Sequence, residues 1–326
     1  MKRIVTLVLA LALVLCAMSF AIAEGDTHTI ALANINEKAI FGKLVKKGFQ
    51  DACDAIGWNL VYVDNNADGA TAVNNATLLA MRDDIEFCVD MNVDASVGQT
   101  IMDIFGEANI PVLAVDISLP GAPFFGIDNA AMGTFIGEWA AEWIKENWDG
   151  QADYVVPITQ IASGDEVQLR VRNSVTALQD AGIEIGEVVE IEGQNDTAVI
   201  QQRFNDFLTA HPDSHKIFVF TINENGGSGT QAAAETADRA GDVKIATANC
   251  SNIFVDQIYE KEGDSCFFVA CANRPETYGE QCVELIKSYL AGETIEGTYA
   301  CGMTIVTWDN IAEVYPLDNL PWADLT

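Results

Sequence analysis

Histidine and positive charge are scarce in this chain. Its 326 residues contain three histidines, and 17 Lys and Arg stand against 48 Asp and Glu, for a formal charge of −31. His28, His211 and His215 fall at the amino end or in one polar loop, where surface placement is expected, so histidine chemistry has little support. The acidic balance argues against nucleic acid and anionic lipid as partners, because both would be repelled. No G-x-S-x-G occurs, which argues against an α/β-hydrolase nucleophile. No C-x-x-C or Cys/His spacing suggests a zinc site, and no metal site is expected. Behind the first 23 residues there is no second apolar run of membrane-spanning length.

The amino end itself is distinctive. Met1-Lys2-Arg3 precedes an apolar run from Ile4 to Cys16, and Ala21-Ile22-Ala23 places small residues where a signal peptidase reads. Residues 1–23 are therefore expected to be a removed export signal. Acylation of Cys16 is the alternative, opposed by the bulky Leu15 before it. Removal takes two positive charges, Lys2 and Arg3, from −31 and leaves −33. Cys53, Cys88, Cys250, Cys266, Cys271, Cys282 and Cys301 remain, an odd number that leaves at least one thiol unpaired. Most fit as small core residues, and Cys266 and Cys271 should face opposite sides of one strand.

Periodicity gives an alternating pattern. Strands are expected at 29–33, 59–63, 87–89 and 112–115, separated by helices with apolar residues at helical spacing, such as Phe41, Leu44, Val45, Phe49, Ala52 and Ile56. After a Pro- and Gly-rich passage at 120–127 and a helix over 132–147, the alternation resumes. Strands are expected at 154–158, 187–191, 217–221, 244–247, 266–270 and 299–306, with a helix near 229–239 following a glycine-rich turn. The fold class is α/β, with two similar doubly wound parallel-sheet lobes and a cleft at their boundary.

Two motifs have bland readings. Asp64-Asn65-Asn66-Ala67-Asp68-Gly69 opens like a calcium loop, but Asn75 stands where a bidentate Glu is needed and a strand precedes it, so it reads as a solvated turn. Gly227-Ser228-Gly229-Thr230-Gln231-Ala232 fits G-x-G-x-x-A, yet Asn249 occupies the place of the expected acid, and a turn starting a helix is the simpler reading. More informative is the recurrence of polar residues just after strands: Asn36, Asp116, Asn223 with Glu224, Asn249 and Asn273, with Arg170 and Arg172 in the helix after 154–158. Singly, each suits a cap or turn. Together, on the strand-end edge where α/β sheets bind ligands, their planar groups suit a polyhydroxylated molecule with adjacent hydroxyls.

Ile110-Pro111-Val112 through Val115-Asp116, Phe125-Gly126-Ile127-Asp128-Asn129 through Gly133, Arg170-Val171-Arg172, and Ala272-Asn273-Arg274-Pro275 through Gly279 resemble the periplasmic sugar-binding proteins of the ribose- and galactose-binding type, the solute receptors of ABC importers. The resemblance implies sugar-hydroxyl contacts from Asp116, Arg172, Asn223, Asn249 and Asn273, with Phe41 against the apolar ring face and Asn36 loosely aligned. It also implies a three-strand hinge, with one lobe at 28–131 plus 274–302 and the other at 132–273 plus 303–326. The chain departs from the pattern at Ile117, Asn195, Asn249 and Asn273, and at Lys38-Ala39-Ile40-Phe41. The implied protein is no enzyme: it is exported to the periplasm or cell surface, needs no cofactor, and presents its ligand to an ABC permease or a chemosensory receptor. A nucleoside or quorum-sensing furanone receptor and a secreted glycosidase are the alternatives. A repressor of the related type would carry a DNA-binding helix-turn-helix where the export signal lies.

Overall fold

A computed structural model describes residues 27–92 and 94–325; the expected export signal lies outside them. Strands β1 (Thr29–Asn34), β2 (Asn59–Asp64), β3 (Phe87–Asp90), β4 (Val112–Val115) and β5 (Phe124–Gly126) alternate with helices α1 (Ile40–Ile56), α2 (Gly69–Ala80) and α3 (Gly98–Glu107). After α4 (Asn129–Trp148) come β6 (Gln151–Thr159), α5 (Asp165–Asp180), β7 (Glu184–Val188), β8 (Ile191–Glu192), α6 (Thr197–Ala210), β9 (Ile217–Thr221), α7 (Glu224–Thr236) and β10 (Val243–Ala248). The chain finishes with α8 (Asn252–Glu260), β11 (Phe267–Ala272), α9 (Tyr278–Leu290), β12 (Thr298–Ala300), β13 (Thr304–Val306) and α10 (Ile311–Val314).

Two sheets result. The first runs β12-β5-β4-β3-β1-β2 and is parallel throughout. The second runs β13-β11-β10-β9-β6-β7, with β8 also on β6, and is parallel except for β13 against β11. The chain passes between the sheets three times: between β5 and β6, between β11 and β12, and between β12 and β13. The expected single strand at 299–306 is in fact two short strands, one in each sheet. Apolar periodicity alone runs the two strands together, although the resemblance implies a boundary between lobes at 302/303. The strand expected at 187–191 is likewise split into β7 and β8, both on β6.

Helix α7 begins at Glu224, earlier than the glycine-rich turn suggests, with Asn223 as its cap. Its glycines are inside the helix because packing demands them: a Cβ at Gly227 would lie 2.3 Å from the Phe267 ring, and one at Gly229 would lie 2.7 Å from the Thr197 carbonyl. Two other helix pairs also depend on close backbone approach. Helices α1 and α9 meet at Gly48 and Gly279, where an added Cβ on Gly279 would sit 2.1 Å from the Gly48 carbonyl carbon. Helices α4 and α5 meet where Gly133 and Gly137 face the carbonyls of Leu169 and Ser174. The seven cysteines of the described residues are buried free thiols.

One core residue is out of keeping with its surroundings. Asp90, at the carboxyl end of β3, is 1% exposed, and neither carboxyl oxygen has a hydrogen-bond partner among the described residues. Burial pushes its carboxyl up to about 7, with only Asn65 working in the opposite direction. A rise of about three units corresponds to a folding penalty of about 4 kcal/mol once the group is ionised. For an acid raised in the folded state, the penalty is absent below about pH 4, grows as the unfolded chain loses its proton, and levels off above about pH 7. Asp90→Asn should therefore melt higher than the parent, by a margin that widens from pH 4 to 7. Calorimetry showing a constant margin over that range would rule this out.

Candidate ligand-binding site

Strand β4 ends in Val115, and the chain then bends through Asp116 at φ 59, a left-handed conformation uncommon outside glycine and short polar residues. The bend lays the carboxyl over Gly126, where a Cβ would come within 2.6 Å of Asp116 Oδ1, so only glycine leaves it room. Three groups from three segments address this carboxylate. The Ile127 backbone N–H donates to it, the Tyr278 hydroxyl lies 3.5 Å from Oδ1, and the Arg170 guanidinium acts through its charge. Desolvation outweighs them and holds the Asp116 carboxyl up at about 6.

Tyr278, in the first turn of α9, is fully buried. Its ring is met edge-on by Phe41 of α1 at 6.0 Å and by Phe125 of β5 at 5.1 Å. Asn273 Nδ2 donates to its hydroxyl oxygen at 2.8 Å, and Cys301 Sγ lies 3.7 Å away. Asn273 follows β11, Asn249 follows β10, and Asn223 follows β9. These three strands are neighbours, so the amides form a row stepped by about 4.8 Å along one sheet edge. Asn249 has φ 66, and its side-chain oxygen is buried with no partner among the described residues. Asn223 Nδ2 donates to Asn195 Oδ1 at 2.8 Å, and Asn225 Nδ2 donates to the same oxygen at 3.2 Å.

The expected site residues thus have different fates. Asp116, Phe41 and Asn273 converge on Tyr278, while Asn249 and Asn223 continue the row. Asn36 is committed to a turn, its Oδ1 accepting from the Lys38 and Ala39 N–H groups at 2.9 Å each. Arg172 is not brought to Asp116. Its side chain is 45% exposed and lies 3.6 Å from Glu190 and 3.8 Å from Asp165. Arg170 takes that place, with Nε donating to Asn129 Oδ1 at 2.7 Å and a terminal nitrogen donating to the Ile222 carbonyl at 3.1 Å. Residues two apart in a helix lie about 200° apart around its axis, so only one of the two arginines can face the crossing. The one that does shares its side of α5 with Ser174, which packs on Gly133 of α4. Tyr278 is the member of the candidate site that sequence reasoning left out; Arg170 stood in the recurring polar set, but the resemblance put Arg172 in its place. Arg170 had a signal in its R-x-R, but Tyr278 had none.

A desolvated acid, a guanidinium, a row of amides and an aromatic ring at opposed strand ends of two parallel sheets define a two-lobed α/β ligand receptor. The family model for the periplasmic binding protein domain matches residues 30–294, and the chain belongs to that family. It is 26% identical over 322 residues to the ribose import binding protein of Escherichia coli, covering 94% of this chain and 98% of that one. Among solved structures it is similar to a periplasmic solute-binding protein of an ABC transporter from Actinobacillus succinogenes with bound D-allose (TM-score 0.73, 16% identity, 89% of this chain and 100% of that one). It is also similar to a solute-binding protein from Burkholderia graminis in complex with D-arabinose (TM-score 0.70, 21% identity, 88% and 98%). Among the described residues, no helix is long and apolar enough to cross a membrane.

Because Arg170 lowers the Asp116 carboxyl, removing its charge should raise that group above about 6. Carboxyl carbon NMR of the Asp116 resonance is expected to show a higher titration midpoint in Arg170→Gln and an unmoved one in Arg172→Gln. The reverse pattern would exchange the two arginines.

Proposed function

We propose that this chain is an exported solute-binding receptor. It captures a small polyhydroxylated ligand, a monosaccharide, between its two lobes and presents it to the membrane subunits of an ABC importer. The observation that carries the reading is that Asp116 and Phe41 of one lobe face Asn249 and Asn223 at the strand ends of the other, with Asn273 and Tyr278 bonded to each other where the sheets meet. Hydroxyls both donate and accept, so neighbouring hydroxyls on a ring match an amide or a carboxylate with two bonds at once. The apolar ring face stacks on an aromatic side chain, the role proposed for Phe41.

Capture proceeds by hinge closure, since a ligand touching both lobes favours the state in which both sets of contacts exist. A cavity of about 690 Å³ beside the second and third crossings, lined by Arg274, Thr277, Tyr299, Gly302, Met303 and Thr304, leaves those segments uncovered on one side. The closed form, with both lobes fixed, is what the permease would recognise; a chemosensory receptor is a second candidate partner for it. The relatives' names support a sugar as the solute class, and the acidic exterior fits a protein working free of anionic membranes and nucleic acid.

Residues 24–326 should show a raised melting temperature with at least one of D-ribose, D-allose and D-arabinose, since a ligand that binds only the folded form stabilises it by mass action. Asp116→Ala should abolish the shift, and Arg170→Ala should weaken binding far more than Arg172→Ala. No shift with these sugars or a wider set of pentoses, hexoses and polyols would remove the sugar reading. A shift with nucleosides alone would replace it, and turnover of the sugar would make the protein an enzyme.

A further inference from the structure

We propose that Tyr278 is the positioning residue of this cleft: its hydroxyl, held by Asn273, orients the Asp116 carboxylate and so links the first lobe crossing to the second. The inference rests on the reading of the cleft as a ligand site, but it concerns a residue that makes no ligand contact of its own, being fully buried.

The geometry gives the phenol one role. Asn273 Nδ2 donates to its oxygen at 2.8 Å, so the oxygen is occupied as an acceptor and its single proton is left to give. Two acceptors are in range: Asp116 Oδ1 at 3.5 Å and Cys301 Sγ at 3.7 Å. A carboxylate is a far stronger acceptor than a thiol sulfur, so the proton points to Asp116. The ring cannot swing away, because Phe41 and Phe125 meet it edge-on and Gly279, the next residue, is pressed on Gly48.

The relay also spans the passages between sheets. Asp116 stands at the end of β4 and accepts from the Ile127 N–H in the first crossing, Asn273 opens the second, and Cys301 lies in the third. A ligand that pulls on Asp116 is therefore felt at Asn273 through one rigid ring. The ionisable groups facing Asp116 are Arg170 from α5, Tyr278 and Cys282 from α9, and Cys301 from the third crossing. Arg170 and Tyr278 favour its charged form, while the two thiols are pushed up by burial and remain neutral.

Tyr278→Phe keeps the ring and deletes the proton. D-ribose, D-allose and D-arabinose should be titrated calorimetrically into the parent and variant from pH 5 to 8. The variant should bind about tenfold more weakly at pH 7, the order expected for one bond to a charged group. Because the phenol lowers the Asp116 carboxyl, the acid limb of binding should also move to higher pH. In the Asp116→Asn background, melting without ligand should show no pH-dependent difference with and without Tyr278→Phe. A uniform loss at every pH, or an unmoved limb, would reduce Tyr278 to packing and overturn the proposal.

If none of the three sugars binds the parent, the sugar reading fails and melting without ligand decides the role of Tyr278. The difference in melting temperature between parent and variant should widen between pH 6 and 7, since the variant's Asp116 stays protonated to higher pH, while Asp90 contributes equally to both and cancels. A constant difference overturns the proposal in that case too. Should Tyr278→Phe not fold, Asn273→Ala frees the phenol and must still displace the acid limb or the melting profile; if neither moves, the proposal falls.

Discussion

The carboxyl group of Asp116 is half-buried and largely desolvated where two sheets meet, and much of the surrounding architecture answers the cost of doing so. An ionised carboxylate without partners in such a place would simply take up a proton. Here three segments that are remote in sequence each bring one compensating group: the Ile127 N–H from the first crossing, Arg170 from α5 and Tyr278 from α9. None of them satisfies the group alone, and their sum still leaves it at about 6. The carboxylate is thus stable only while the first sheet, the second sheet and the returning helix are all in place, which makes it a report on how the lobes are joined.

That convergence depends in turn on backbones approaching closely. Arg170 reaches the crossing because α5 lies tight against α4, and it can do so because Gly133 and Gly137 present no side chain to the carbonyls of Leu169 and Ser174. Tyr278 reaches it because α9 lies tight against α1 at Gly279 and Gly48. A methyl group at any of these four positions would push a helix outward and carry a site residue with it. Binding chemistry and helix packing are therefore set by the same glycines.

The parallel sheets were legible because β4, β9 and β10 are short apolar runs closed by polar turns, a pattern that local chemistry dictates. Asp116, Asn249 and Asn273 were legible for the same reason: the strand end places them. What sequence could not reveal is which of two groups in one helix faces inward. Arg170 and Arg172 are equal in local context and are told apart only by where α4 packs. Tyr278 was hidden for a different reason, since a buried aromatic in a helix reads as core, and its hydroxyl matters only because Asn273 and Asp116 arrive from elsewhere. The two orphaned oxygens of Asp90 were also invisible, as an acid closing a strand is ordinarily solvated. Asn36 carries the same polar strand-end signature, and its oxygen closes the turn into α1.

Charge inside the cleft bears on the kind of solute proposed for it. Asp116 and Arg170 offset one another, and the other polar members are neutral amides and a phenol. An anionic solute would have to approach a chain of strongly negative net charge and compete for a guanidinium already donating to Asn129 and the Ile222 carbonyl. A cation would be drawn to the surface but would find the carboxylate already balanced. A neutral molecule with several hydroxyls meets neither obstacle, and its bonds accumulate one amide at a time as the lobes close. In this reading, selectivity comes from the spacing of donors and acceptors along the strand ends, and the acidic exterior can vary without altering what the cleft accepts.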